Sequence, residues 1–271
     1  NKKHQLTLTG VQSVDHNGSK SIGYSVENLP VDKDWNFISQ GEFTGKPRRQ
    51  FNENNLVSFM ARAQYSLLDR YLIAANLRRD GSSKFADGHK WGTFPSVSAA
   101  WRFSSESFME STRNWLSDAK LRVSYGIVGN QNGIGNYTTL GLADNKGYEF
   151  GDTFQMGYLP GKELSNPNLK WEQSATANLG VDFSFFNGRL NGTVEYYNTH
   201  TKDLLVERSL NASLGYTTML DNLGKTKSSG IDLSLNGDVI RTKEFAWSLG
   251  TNFSMYKNEI VRIDDTLDEN G

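Results

Sequence analysis

No cysteine occurs among the 271 residues, so disulfides, thiolate metal sites and cysteine nucleophiles are excluded. Proline is scarce at five residues, and no apolar run reaches the roughly 18 residues that a membrane-crossing helix needs. Neither charge predominates: 29 basic against 30 acidic residues give a net charge of -1, with no basic stripe, which argues against a nucleic-acid partner. The four histidines, His4, His16, His89 and His200, are scattered without a zinc-protease or triad arrangement. Asp15 to Ser19 and Asp32 to Asp34 alternate oxygen-bearing side chains, yet neither segment has the bidentate glutamate that closes a calcium loop. Asp264-Asp265 reads as an exposed charge pair. The chain therefore reads as a non-enzyme with no cofactor and no metal.

What the sequence does contain is alternation. Between Val57 and Met255, eight stretches switch between apolar and polar residues with period two. Val57, Phe59, Ala61, Ala63, Tyr65 and Leu67 oppose Ser58, Met60, Arg62, Gln64 and Ser66, with Met60 alone breaking the polar row; Ala175, Ala177, Leu179, Val181, Phe183 and Phe185 oppose Ser174, Thr176, Asn178, Gly180, Asp182 and Ser184. Leu121, Val123, Tyr125 and Ile127 turn away from Lys120, Arg122, Ser124 and Gly126. A strand with one face in lipid and the other toward a watery lumen requires this period. The fold class it predicts is all-β: an antiparallel, up-and-down transmembrane β-barrel, present in part, with about ten strands.

The links between stretches alternate in length. Leu68 to Arg70, Asn187-Gly188 and Asp238 to Glu244 are short, whereas Gly81 to Gly92, Val128 to Trp171 and Thr199 to Gly230 are long. Outer-membrane barrels keep tight turns on the periplasmic side and long loops outside. Ser104 to Asp118 breaks the rhythm, and Ser105-Glu106 followed by Phe108, Met109, Trp115 and Leu116 predicts a short capped amphipathic helix on the rim. With the short links periplasmic, Tyr65, Tyr71, Trp101, Phe103, Phe183, Phe185, Phe245 and Trp247 fall along one edge, as an aromatic girdle should. Period two alone also fits a soluble glycan-binding β-domain, whose outward aromatics are simply core.

Ordered motifs then resemble a family. Arg79-Asp80-Gly81-Ser82-Ser83-Lys84-Phe85, Trp91-Gly92-Thr93-Phe94-Pro95-Ser96, Leu121 to Gly126 with Gly129-Asn130, and Asn166-Pro167-Asn168-Leu169-Lys170-Trp171-Glu172 follow one another. Asn178 to Asp182, Tyr196-Tyr197 with Thr201 to Leu205, and Gly230 to Leu233 continue the series. Together they resemble the barrel of SusC/RagA-type TonB-linked outer-membrane proteins over roughly Leu56 to Ile263. The first 50 or so residues fit only loosely, as one strand near Gln5 to Val11 and a long loop.

That resemblance implies a 22-stranded barrel of the bacterial outer membrane, filled by a plug domain. It further implies import of oligosaccharides or peptides, driven through TonB-ExbB-ExbD and assisted by a SusD-like surface lipoprotein. Residues 1–271 would then be part of one barrel domain, without the plug, the TonB box or a terminal aromatic residue, and its missing strands would lie elsewhere in the intact protein. Arg62, Arg78, Arg102, Arg122, Asp182, Glu195 and Asp232 are expected on the lumen face, toward the plug. Tyr137, Tyr148, Phe150, Phe154, Tyr158 and Tyr216, in the long loops, are the candidates for stacking on substrate or meeting the lipoprotein. No other outer-membrane role, enzymatic or otherwise, has a residue cluster to support it.

Overall fold

The computed structural model describes residues 3–29, 41–151 and 153–263. Nine long strands form one antiparallel sheet: β1 (His4–Glu27), β2 (Glu42–Leu67), β3 (Tyr71–Ser82), β4 (Trp91–Trp101), β5 (Leu116–Asn130), β9 (Glu172–Phe185), β10 (Leu190–Ser209), β11 (Thr218–Arg241) and β12 (Ala246–Arg262). Each pairs with its neighbours in that order, and β1 and β12 stand at the two ends, so the described sheet is an open arc of wall. Two strands, β6 (Ala143–Phe150) and β7 (Thr153–Pro160), make a separate hairpin, and the two-residue β8 (Glu163–Leu164) runs parallel to the start of β11.

The predicted alternation lines up across the sheet into continuous rows. Leu6, Tyr65, Ile73, Ala99, Val123, Leu179, Tyr196, Ile231 and Met255 lie directly opposite one another, strand by strand. Displaced by one residue, on the other face, run Gln5, Ser66, Leu72, Ala100, Arg122, Gly180, Glu195, Asp232 and Ser254. The apolar row is uncovered: Ile73 is 53% exposed, Val123 49%, Leu179 48% and Met255 61%. A band of that length facing water would be a severe liability, whereas it is the surface a lipid-embedded wall presents.

Short turns close one end. Leu68 and Asp69 both take positive φ, 56° and 54°, in the β2–β3 turn, and Phe186, Asn187 and Gly188 do so between β9 and β10. The right-handed twist of the flanking strands favours such mirror-image turns. Between β11 and β12 the Thr242 N–H donates to the Phe245 carbonyl at 2.8 Å, so Phe245 belongs to the turn and not to the strand.

Four expectations need correction. The first 50 residues are not one short strand and a loop: β1 runs on to Glu27 and pairs through Glu27 with Glu42, so β2 begins 15 residues ahead of Val57. Likewise Thr199 to Gly230 is mostly an extension of β10 and β11, closed over residues 210–217. These extensions are mostly polar, with Ile22, Tyr24, Phe43 and Phe51 spaced too sparsely among them to mark a long alternating stretch. The capped helix is instead two 3-10 segments, Phe103–Ser105 and Ser107–Thr112, without side-chain caps, because Glu106 is engaged elsewhere. Finally, Ile127 packs against a buried cluster while Val128 is 67% exposed, so the alternation slips just where pairing of β4 with β5 ends at Gly126. Pro95 stands one residue beyond that end and still lies opposite Leu77 of β3.

Candidate functional site

The polar face gathers its charges on β5, β9 and β10. Arg122 donates from Nε and Nη2 to the two carboxylate oxygens of Asp182, each at 2.9 Å, and reaches Glu195 at 3.4 Å. Lys120 meets the same Asp182 carboxylate at 2.9 Å, Thr193 donates to it at 3.3 Å, and Asn178 donates to Glu195. Gly180, directly opposite Arg122 and Glu195, makes the arrangement possible. A Cβ there would stand 2.9 Å from Arg122 Nη2. Arg122 also borders a trough of about 550 Å³ on this face together with Arg62, Gln64, Ala74, Ser98 and Ser124.

The other predicted lumen residues disperse. Arg78 Nε donates to both carboxylate oxygens of Asp80, on its own strand, at 2.8 and 2.9 Å, and Nη2 donates to Ser58 at 3.1 Å, near the long-loop end. Asp232 lies opposite Glu195 in the polar row. Arg102 is one residue past β4, in the rim link, 3.4 Å from Asp118, so it is a rim residue and not part of the wall face.

At the long-loop end the loops are fastened by a cluster that the spacing did not reveal. Phe85, Phe94, Ile134, Leu169 and Trp171 are all at most 5% exposed and pack together with Leu56, Ile127, Leu205 and Leu220. Trp171 stacks on Phe85 at 5.0 Å and meets Phe94 edge-on at 5.5 Å, and its indole N–H donates to the Lys90 carbonyl at 3.1 Å. Phe94 fits because Gly92 and Gly129 have no side chain. A Cβ on Gly129 would fall 2.0 Å from its ring. The motif segments that carry the family resemblance thus meet in one core.

Two asparagines complete the clamp. Asn166 donates to the Leu220 carbonyl and the Asp221 carboxylate at 3.1 and 3.2 Å, and its own oxygen accepts the Asn168 N–H at 3.0 Å. Asn222 accepts the Lys170 N–H at 2.9 Å and donates to the carbonyls of Lys170 and Asp203 at 2.9 and 2.8 Å. Asn222 was invisible in the sequence, buried in what read as a featureless loop. The apolar Phe85, Leu169 and Trp171 in otherwise polar loops were the available signal.

The loop aromatics do not form one surface. Tyr137 is half-buried, its hydroxyl accepting the Glu53 N–H at 3.1 Å. Tyr148 and Phe150 lie on one face of the β6–β7 hairpin, and Phe154 and Tyr158 on the other, all four exposed. Tyr216 is half-buried in the turn ahead of β11. At the short-turn end, Trp101 neighbours Phe103 at 5.8 Å, and Phe183 neighbours Phe185 at 5.2 Å, beside exposed Tyr71, Phe245 and Trp247. Tyr65 stacks at 6.1 Å on His4. Among the described residues no group of His, Asp and Glu is placed to hold a metal ion.

Residues 2–271 match the family model described as TonB dependent receptor-like, beta-barrel. The chain is 39% identical over 238 residues to TonB-dependent receptor SusC of Bacteroides thetaiotaomicron, covering 84% of this chain and 23% of that protein. To TonB-dependent receptor P3 of Formosa agariphila it is 33% identical over 265 residues, covering 97% of this chain and 26% of the relative. It therefore spans about a quarter of the length of these relatives. Among solved structures, the RagAB peptide importer in its closed-closed state aligns with a TM-score of 0.84 and 30% identity over 98% of this chain and 29% of that one. The outer membrane transporter YddB of Escherichia coli, at 13% identity and a TM-score of 0.55, covers 95% of this chain and 31% of its own and shares the fold alone. An uncovered apolar band, alternating turns and loops, and these likenesses displace the soluble β-domain: the chain belongs to the TonB-dependent receptor-like β-barrel family of the bacterial outer membrane.

Proposed function

We propose that this chain is a segment of wall and extracellular loops from a TonB-dependent importer of oligosaccharides or peptides. The observation that carries this reading is a wall with an unbroken apolar row outside and a charged row inside, in an arc that overlays on the RagAB peptide importer along 98% of its length. A closed barrel is needed for transport, because an open sheet would leave two strand edges unpaired in lipid. The remaining strands and a plug domain complete it in the intact protein, with residues 1–271 contributing to a single barrel domain.

Within that barrel, Arg62, Arg122, Asp182, Glu195 and Asp232 face the plug, and the trough beside Arg62 and Arg122 receives part of its surface. Arg78 and Arg102 have partners of their own and serve the loop and turn ends. A SusD-like lipoprotein covers the loop side, where the β6–β7 hairpin offers aromatics on both faces to lipoprotein or substrate. Tyr65, Tyr71, Trp101, Phe103, Phe183, Phe185, Phe245 and Trp247 mark the periplasmic interface. Energy enters through TonB-ExbB-ExbD acting on the plug, and the segment carries no catalytic role.

Uptake is the test. Cells carrying the full-length gene should take up a labelled oligosaccharide or peptide pool that deletion mutants do not, and a protonophore should stop it. Uptake that persists after the proton gradient is dissipated would overturn the importer reading.

A further inference from the structure

The link between β4 and β5 carries an apolar surface that the wall does not need for its own packing. Tyr71 and Trp101 stand directly opposite each other on the apolar side of β3 and β4, at the short-turn end. Glu106, from the link, accepts the Tyr71 hydroxyl at 2.7 Å and the Trp101 indole N–H at 3.2 Å on one oxygen, and Arg70 at 3.2 Å on the other. Three donors on a carboxylate only 14% exposed hold the link against the outer, apolar side of the sheet. Phe108, two residues on, lies with its ring 6.3 Å from that of Trp101 and is still 64% exposed. Trp115, at the far end of the link, stacks on Phe185 at 5.7 Å and is 46% exposed.

We propose that residues 103–115 are a membrane-interface anchor, in which Phe108 and Trp115 enter the headgroup and outermost acyl region of the phospholipid leaflet nearest the short turns. The occupant is lipid because the surface continues the lipid-facing band: Tyr71 and Trp101 belong to the apolar alternation of β3 and β4, and Phe108 extends it by one further ring. Aromatic rings with a polar edge are suited to that depth. Arg113, on the same link, pairs with Glu110 at 3.5 Å and both remain more than half exposed, as polar groups at a headgroup level can. The inference rests on the outer-membrane barrel reading and adds a clip, Glu106, that turns a periplasmic link outward onto the bilayer.

A spin label tests it. The intact protein, with a single cysteine introduced by Phe108→Cys and any cysteine outside residues 1–271 replaced, is labelled and reconstituted into phosphatidylethanolamine and phosphatidylglycerol vesicles. Collisions with oxygen, which concentrates in the bilayer, are compared with collisions with a water-borne nickel chelate. Labels at Val97, on the apolar face, and at Asn187, at a turn tip, serve as references. The label at 108 is expected to favour oxygen over nickel at least tenfold more than the label at 187. Adding Glu106→Ala should bring it to the value at 187 while leaving Val97 unchanged. Nickel access at 108 equal to that at 187 with Glu106 intact would overturn the anchor, as would exclusion of both reagents, which would mean that protein covers the link. Nickel access at Val97 would mark failure of the barrel reading itself.

Discussion

Arg122 on β5 reaches diagonally past Gly180 to fork the Asp182 carboxylate on β9, both contacts at 2.9 Å. Asp182 is the shared acceptor of Arg122, Lys120 and Thr193, so it is the member whose loss leaves most behind. Asp182→Asn should strand two cations on the polar face and lower stability by about 1–2 kcal/mol, since the groups are roughly a third exposed and water screens part of the cost. Thermal unfolding in detergent measures it. Asp182→Glu, which restores the charge, should recover part of the loss, and equal melting of Asn and wild-type proteins would show that the fork contributes nothing.

Gly129 leaves the space that Phe94 fills. Gly129→Ala places a Cβ 2.0 Å from a ring that is itself wedged against Trp171, so neither side gives way easily. Overpacking of this kind costs about 1–3 kcal/mol. Phe94→Leu in the same chain should return part of that stability, a non-additive pair detectable by a double-mutant cycle. Strict additivity of the two changes would argue that they do not touch.

Gly180 presents the contrasting case. The atom that a Cβ would meet there is the far end of a flexible arginine, so Gly180→Ala should cost well under about 1 kcal/mol. Its effect belongs to geometry: Arg122 should swing off Glu195, which a crystal or cryo-electron microscopy structure of the variant would register. A melting loss as large as that of Gly129→Ala would mean the row cannot relax.

Asn222 should matter more than its place in a loop suggests. Asn222→Ala removes three hydrogen bonds to Lys170 and Asp203, worth about 2–4 kcal/mol together if each contributes about 1 kcal/mol. The segment 166–172 should then exchange its amide protons faster and become open to protease from outside the cell, while the wall stays intact. Unchanged protection there would assign the holding of this segment to the Trp171 cluster alone.

Glu106 gives the turn end a pH dependence. Hydrogen bonds from Tyr71 and Trp101, with the Arg70 charge, hold its carboxyl below the usual glutamate range. A depressed value in the folded protein means that the stabilisation is fully present above the ordinary glutamate pKa and is lost as pH falls through the folded one. The protection of residues 103–115 against hydrogen exchange, taken relative to the intrinsic rate at each pH, should therefore fall on acidification. Glu106→Gln should abolish that dependence, and identical pH profiles for the two proteins would remove Glu106 from the role.

The wall was legible where membrane and lumen impose opposite demands on alternate residues. Val123, Leu179 and Ile231 could be assigned to one face of the sheet, and Arg122, Glu195 and Asp232 to the other, from period two alone, because one-residue slips would exchange the faces. Glu42 to Leu56 carries no such contrast, since it is largely polar and Phe43, Phe51 and Leu56 are too widely spaced to mark a face. The 103–115 link was misread as a helix for a related reason: its apolar residues follow the partners they meet, Trp101 and Phe185, and not a helical period.

By itself, then, the sequence determined the class of fold, the two alternating faces of the wall and the absence of thiol chemistry in this chain, all properties that local pattern and composition encode. Only the tertiary structure decided which charges meet, because Arg122 and Asp182 are 60 residues apart and come together through strand register. It also decided that Phe85, Phe94 and Trp171 form one clamp with Asn222 holding its edge, and that Glu106 turns its link outward. Contacts between distant segments depend on how the wall curves its loops together, and no local pattern records that.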